Sequence, residues 1–181
     1  MSRTKRPGSG AIGTVDSRPD TDVSEEDFRG LMSMICGPVV IVTTMSCGEP
    51  AGTTVSAFAS LSLRPRLVMF ALDRQSRLLD KVEDTGRFGV NVLQFAQAEL
   101  ATTFATKRDD KFAGIEWSTR DGLPYLAGSP GWAVGSVHEL VPGGDHIIVI
   151  GRIHDIASQT AAPLIYGGRT FGTHSHLPGR H

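Results

Sequence analysis

The sequence is poor in cysteine and has neither a long apolar run nor a block of one charge. Cys36 and Cys47 are the two cysteines among 181 residues, and no Cys/His spacing typical of zinc accompanies them, which argues against a disulfide framework or a metal site. No run approaches the roughly 18 apolar residues of a membrane span, and the first residues lack the apolar stretch of a secretion signal. A formal net charge of −1 without a basic stripe argues against a nucleic-acid partner. These absences predict a soluble cytoplasmic protein that binds neither membrane nor nucleic acid.

Residues 8–13 read GSGAIG, which matches the glycine pattern of a dinucleotide-binding turn. That pattern works only between a buried strand and a helix, because the pyrophosphate must reach the helix N-terminus. Here the flanking residues are polar and include Pro7 and Pro19, so the motif is interpreted as coincidental. We predict a disordered tail over 1–22, one ordered domain over 23–172 and a flexible C-terminal tail over 173–181.

Hydrophobic periodicity divides the ordered part into helices and strands. Ser24 as N-cap and apolar residues at helical spacing predict an amphipathic helix over 24–36, ended by Gly37-Pro38. A second helix is predicted over 76–85, between Ser76 and Gly86, and 96–107 has a helical composition. Strands are predicted at 38–45, 51–60, 66–73, 87–93, 131–141, 146–157 and 163–168.

The connections between these strands decide the fold class. Six or seven strands, linked mostly by hairpins, point to an antiparallel sheet closed into a barrel with a few helices outside. The clearest hairpin turns at PGGD, residues 142–145. The βαβ alternation of a doubly wound parallel sheet is missing. The predicted class is therefore mainly β, of the α+β type.

Three segments carry residue types suited to binding a small molecule. Residues 52–65, GTTVSAFASLSLRP, place many hydroxyls among small residues, which suits a phosphate or a flat heteroaromatic ring. Ser76 caps a helix beside Arg74 and Arg77, and a helix N-terminus with guanidinium groups favours an anion. His146 opens the strand after the PGGD turn, where its ring could reach over a cleft.

Each of these segments also has an ordinary structural interpretation. The hydroxyl-rich strand could face water at a sheet edge, the arginines could be solvated, and His146 could be a satisfied structural residue. Lys111 and Phe112, in KRDDKFAG, could belong to a plain loop. Hydrolytic motifs such as G-x-S-x-G and H-E-x-x-H are missing.

Six segments, taken together and in order, carry a resemblance to a known family. They read FRGLMSMICGPVVIVTT, GTTVSAFASLSLRPRLVMFAL, GRFGVNVL, DKFAGIEW, GDH and LIYGGRTFG. From Phe28 to Gly172 the chain resembles the flavin reductase family, which supplies reduced flavin to two-component monooxygenases. The resemblance implies a split β-barrel of the FMN-binding type, and a homodimer with the flavin near the subunit interface.

The resemblance also implies roles for individual residues. The isoalloxazine ring would lie along Thr53, Thr54, Val55, Ser56 and Ala57. The ribityl chain and phosphate would be contacted by Ser60, Leu61, Ser62, Asp73, Ser76, Arg77 and Lys111. Phe112 would pack near the flavin, and His146 of the GDH turn would contact the nicotinamide nucleotide.

The activity implied by the resemblance is hydride transfer from NADH or NADPH to FMN or FAD, with the reduced flavin passed to a partner monooxygenase. No catalytic side chain is required, because the cofactors carry the chemistry. A non-catalytic flavin carrier and a flavin-dependent oxidase of the same fold are the alternatives. The sequence leaves the choice of flavin and of nicotinamide nucleotide open. One departure from the family stands in the serine-rich loop, where Arg66 follows Pro65 in place of a second proline.

Overall fold

The computed structural model describes residues 23–174. The GSGAIG motif and most of the two predicted tails lie outside these residues. The chain divides into two units, one ending at Met32 and the other beginning at Ser33. Helix α1 spans Glu25–Ser33 and begins as predicted, since the Ser24 hydroxyl accepts the backbone N–H of Asp27 at 3.0 Å. It ends three residues before the predicted boundary, because the chain turns into a short strand at Gly37.

Twelve strands are found in the described residues. They are β1 (Gly37–Pro38), β2 (Val40–Ser46), β3 (Glu49–Val55), β4 (Phe58–Leu63), β5 (Arg66–Asp73), β6 (Arg87–Val92), β7 (Trp117–Arg120), β8 (Leu123–Leu126), β9 (Gly131–Gly143), β10 (His146–Ser158), β11 (Ile165–Gly167) and β12 (Thr170–Gly172). Seven of them form one sheet in the order β3-β2-β6-β9-β10-β5-β4. All of its pairings are antiparallel, which confirms the predicted fold class.

The main sheet is split, because its two edges are not hydrogen-bonded to each other. The prediction of one strand over 51–60 was wrong, since Ser56 and Ala57 interrupt it and separate β3 from β4. These consecutive strands form the opposite edges of the sheet. The expectation of a sheet closed by its own hydrogen bonds is corrected accordingly, while the split-barrel form that the resemblance implied is confirmed.

Two helices pack against opposite faces of β2. Helix α2 (Arg77–Thr85) buries Leu78, Leu79 and Val82 in the cluster that includes Val40 and Val42. Helix α3 (Ala98–Ala105), which follows a 3₁₀ turn at Phe95–Gln97, contributes Ala101 and Phe104 to a second cluster with Val39, Ile41 and Leu93. Successive β2 side chains thus enter different cores, as the alternation of a strand requires. In the described residues no helix is long and apolar enough to cross a membrane.

The β9–β10 hairpin forms the centre of the main sheet and positions the predicted nicotinamide contact. Its strands run to Gly143 and from His146, so that Gly144 and Asp145 make the turn. Gly144 has φ of +68°, a left-handed conformation that glycine adopts at little cost. His146 therefore opens β10, as predicted, and pairs with Asp73 at the end of β5.

Candidate functional site

A cavity of about 370 Å³ opens between strand β3, the N-terminal end of α2 and the segment that follows α3. Six of the predicted site residues line it, drawn from three separate parts of the chain. They are Thr53, Asp73, Ser76, Arg77, Lys111 and Phe112. The structure therefore brings together four of the seven residues predicted to contact the ribityl chain and phosphate, namely Asp73, Ser76, Arg77 and Lys111.

The β5–α2 junction forms one wall of this cavity. The Asp73 carboxylate accepts the backbone N–H of Gln75 at 2.7 Å, which fixes the turn into the helix. Ser76 occupies the N-cap position, and its hydroxyl makes no capping hydrogen bond. The Leu79 N–H donates to the Ser76 carbonyl at 2.9 Å, and the remaining N–H groups of the first helical turn, together with the helix dipole, favour an anion at this wall.

Arg77 stands at the cavity rim and is anchored to the opposite wall. Its Nη2 donates to the Lys107 carbonyl at 2.8 Å, and its guanidinium forms an ion pair with Asp109. The side chain is nevertheless 64% exposed, so part of its donor fork faces solvent. Arg77 thus joins the two walls and keeps donors available for a ligand.

Lys111 is a half-buried cation at the C-terminal end of α3. Its ammonium donates to the carbonyls of Phe104 at 2.9 Å and Gly52 at 3.2 Å. A cation is favoured here because the last carbonyls of a helix lack intrahelical partners. Burial lowers the pKa of Lys111, and the nearby Arg77 charge lowers that pKa further. With two of its three donors used, the ammonium has one left for a ligand.

The predicted threonine hydroxyls bind α3. Thr53 donates to the Phe104 carbonyl at 3.3 Å and Thr54 to the Ala101 carbonyl at 2.7 Å. These bonds fix strand β3 against the last turn of the helix. At Gly52, a Cβ would come within 3.0 Å of the Phe104 ring, so the strand and helix approach too closely for a larger residue without movement of that ring.

Phe112 forms the apolar side of the cavity. Its ring packs edge-on against Phe104, with centroids 4.9 Å apart, and against Trp117, with centroids 5.6 Å apart. The side chain is half-buried between these rings and the cavity. An aromatic wall held in this way has little freedom to collapse into the opening.

The cavity carries an excess of positive charge. Five cationic side chains line it, against the two carboxylates of Asp73 and Asp109. The cations are Arg77, Lys81, Lys107, Arg108 and Lys111. Lys81 was missed in the sequence, although its position four residues after Arg77 places both on one face of α2. The donor set fits an anionic group such as a phosphate.

The remaining predicted flavin contacts do not line this cavity. Thr54 lies on β3, Val55 is 5% exposed within the core, and Ser56 and Ala57 form the exposed link between β3 and β4. The other three lie on β4, at the opposite edge of the sheet. They are Ser60, Leu61 and Ser62.

His146 lies next to the cavity, on a hairpin tied to its wall. The residue pairs with the lining residue Asp73 across β5 and β10. Arg74 fastens the turn, because its backbone N–H donates to the Asp145 carbonyl at 3.0 Å and its Nε to the Gly144 carbonyl at 2.7 Å. His146 Nδ1 lies 2.8 Å from the Asp145 carboxylate. This hydrogen bond, aided by the charges of His146 and Arg74, holds the pKa of Asp145 below its usual value.

Solved structures with this architecture include flavin reductases. The structure of nitrilotriacetate monooxygenase component B from Mycobacterium thermoresistibile superposes with a TM-score of 0.81 at 33% identity, over 86% of this chain and 91% of that one. The NADH:FAD oxidoreductase SgcE6 of Streptomyces globisporus, solved in complex with NAD and FAD fragments, has a TM-score of 0.79 at 26% identity, over 86% and 94% of the two chains. The split barrel is thus the fold of flavin reductases.

The sequence comparison gives the same class and defines the family. Residues 32–175 match the flavin reductase like domain. The reductase subunit HsaB of a flavin-dependent monooxygenase from Mycobacterium tuberculosis is 35% identical over 151 residues, 80% of this chain and 79% of that protein. A flavin reductase of Pseudomonas putida is 37% identical over 145 residues, 78% and 85% of the two chains. The chain belongs to the flavin reductase-like family, and the predicted enzyme class, a flavin reductase that uses a nicotinamide nucleotide, is confirmed.

Proposed function

We propose that this enzyme reduces FMN or FAD with NADH or NADPH and releases the reduced flavin to a partner flavin-dependent monooxygenase. The observation that carries the proposal is the basic cavity between β3 and α2, with His146 on the adjoining hairpin. A relative described as the reductase subunit of a flavin-dependent monooxygenase supports the partner class.

The phosphate end of the flavin is assigned to the wall formed by α2 and the segment after α3. Arg77 and Lys111 each retain a donor beyond those bound to the protein, and the first turn of α2 adds free N–H groups. Two charged donors and a helix terminus can share one phosphate, because its three oxygens accept several hydrogen bonds at once.

The ring of the flavin is assigned to the outer edge of β3. The Gly52 carbonyl faces away from β2, since it accepts from Lys111. The backbone groups of Thr54, two residues further along the strand, face the same way. A flat ring with donors and acceptors on one edge can bind these groups, whereas the Thr53 and Thr54 hydroxyls are already bound to α3. Phe112 supplies an apolar surface beside them.

The nicotinamide nucleotide is assigned to His146. When bound, the flavin and the nicotinamide supply the hydride chemistry themselves, so the chain needs only to bind and orient them. The contact with Asp145 occupies Nδ1 and fixes the ring, which leaves Nε2 for a ligand. His146 positions the nucleotide and excludes water, and no side-chain acid or base is assigned.

The flavin contacts on β4 are assigned to a second copy of the chain. Ser60, Leu61 and Ser62 lie on the edge strand opposite to β3 in the sheet order, and they do not line the cavity of their own chain. Leu61 on this strand is 46% exposed, an apolar side chain of the kind that subunit contacts cover. In a homodimer, β4 of one subunit can complete the site of the other. This arrangement accounts for the β4 residues that do not line their own cavity and for the exposed apolar side chain on that strand.

The deciding experiment follows the absorbance of NADH, and then of NADPH, after addition of the purified protein with FMN, with FAD or without flavin. Oxidation that depends on added flavin is the expected result, and it ranks both cofactors. Oxidation by a yellow protein without added flavin would indicate that the flavin is retained as a prosthetic group and is not released. Oxidation in no combination would contradict the reductase activity and favour a flavin carrier.

A further inference from the structure

A second concave surface lies at the other end of the β5–β10 ladder. Its volume is about 400 Å³, and its basic lining residues are Arg64, Arg66, Arg152 and His154. Arg152 pairs with Leu67, whereas His146 pairs with Asp73. Six residues of extended strand therefore separate the two ends, a distance of about 20 Å. The two cavities share no lining residue.

The three arginines of this second groove lack acidic partners. None of the ion pairs found within residues 23–174 includes Arg64, Arg66 or Arg152. The groove contains no carboxylate among its lining residues. By contrast, Arg77, Arg87 and Arg108 are each paired with an aspartate. Three like charges around one opening repel each other, and a bound anion would relieve that repulsion.

The other lining residues favour an anion that carries an organic group. Leu63, Pro65 and Ile153 give the groove an apolar portion. His154 adds a ring whose orientation is fixed by Ser136, with Oγ and Nε2 2.7 Å apart. The volume of the groove is within the range of small-molecule sites and exceeds what an inorganic phosphate alone requires.

We propose that this groove binds a phosphomonoester, with the phosphate on the arginines and the organic portion against Leu63 and Pro65. A guanidinium presents parallel N–H donors that match two phosphate oxygens. Three guanidinium groups can neutralise the nearly dianionic charge of a phosphomonoester. A carboxylate, by comparison, carries a single negative charge. The site does not depend on flavin binding, and it is tested without flavin.

Isothermal titration of the full-length protein with adenosine 5′-monophosphate, glucose 6-phosphate and adenosine tests the proposal. We expect adenosine 5′-monophosphate to bind and adenosine, which lacks the phosphate, not to bind. Binding of glucose 6-phosphate as well would show that the phosphate dominates, and its absence would identify a nucleotide site. Arg66→Gln and Arg152→Gln should each weaken binding at least tenfold. Arg66→Lys, which keeps the charge without the planar fork, should weaken it less.

Two further variants separate this groove from the flavin cavity and from non-specific attraction. Arg169→Gln removes an equal charge on the exposed β11–β12 turn and should leave binding unchanged. Loss of binding in Arg77→Gln but not in Arg66→Gln would place the nucleotide in the flavin cavity and overturn the proposal. Equal losses in Arg169→Gln and Arg66→Gln, or no binding of either phosphate ester at millimolar concentration, would also overturn it.

Discussion

The two ends of the β5–β10 ladder differ in how their charged side chains are satisfied. At the His146 end, Asp73 fixes a turn, Arg74 holds the hairpin and Asp145 contacts the imidazole. At the Arg152 end, the guanidinium groups have no partner among the described residues. Charged side chains that are paired within the protein hold the neighbouring turn, hairpin or ring in a fixed position. Unpaired charges of one sign gain most from a ligand of the opposite sign.

The contrast extends to the cavity beside the His146 end. There Arg77 and Lys111 each donate hydrogen bonds to backbone carbonyls of the protein and still retain donors for a ligand. Such groups are held in position before a ligand arrives, which lowers the entropy cost of binding. Three predictions test whether Arg77, His146 and Lys111 serve the ligand or only the fold.

The largest effect is expected for Arg77→Ala. Loss of a charge-assisted contact with the flavin phosphate should weaken FMN binding by about 1–3 kcal/mol. Riboflavin, which has no phosphate, should bind the variant and the parent protein equally. The measurement is fluorescence titration of both flavins, with Arg169→Ala as a matched control. Equal losses for FMN and riboflavin would mean that Arg77 supports only the cavity wall through Asp109.

An intermediate effect is expected for His146→Ala. If the imidazole positions the nicotinamide nucleotide, the apparent KM for NADH should rise about tenfold, which corresponds to roughly 1.4 kcal/mol. Flavin affinity should stay near that of the parent protein, because His146 does not line the basic cavity. Steady-state kinetics at saturating flavin give the KM. Unchanged NADH kinetics would remove His146 from the site.

The smallest effect is expected for the pH dependence that Lys111 imposes. Burial, with the charge of Arg77, lowers the pKa of Lys111, so the ammonium loses its proton at a lower pH than an ordinary lysine. FMN affinity should therefore fall as the pH rises from about 7 to about 10. Lys111→Arg, whose guanidinium stays charged, should flatten that profile. The same decline in both proteins would assign the effect to another group.

Local elements were predictable from the sequence because short-range chemistry determines them. Ser24 and Ser76 begin helices as predicted, and His146 opens its strand. The end of α1 was misplaced because Gly37 and Pro38 pair with β11, more than 120 residues further on. No local pattern carries that information.

The candidate site was predictable in part, for the same reason. A helix N-terminus beside guanidinium groups marked Arg77, and the family resemblance implied Lys111, before the structure placed both in one cavity. The hydroxyls of Thr53 and Thr54 could be recognised as hydrogen-bonding groups, but not as partners of α3 carbonyls, because those carbonyls lie 51 and 47 residues away. The position of β4 at the edge opposite to β3 depends on the order of all seven strands in the sheet. Local sequence patterns predict individual strands and hairpins, but they do not define that order.

The split order of the main sheet has a consequence for synthesis of the chain. Strands β3, β2 and β6 form one half and β5 and β4 the other, and only the β9–β10 hairpin joins them. This hairpin begins at Gly131. A nascent chain that ends before it therefore contains two sheet fragments, each with an unpaired edge that the finished enzyme covers. Such edges are templates for pairing with other chains, so the ribosome-bound intermediate is the stage of this protein's life most exposed to aggregation.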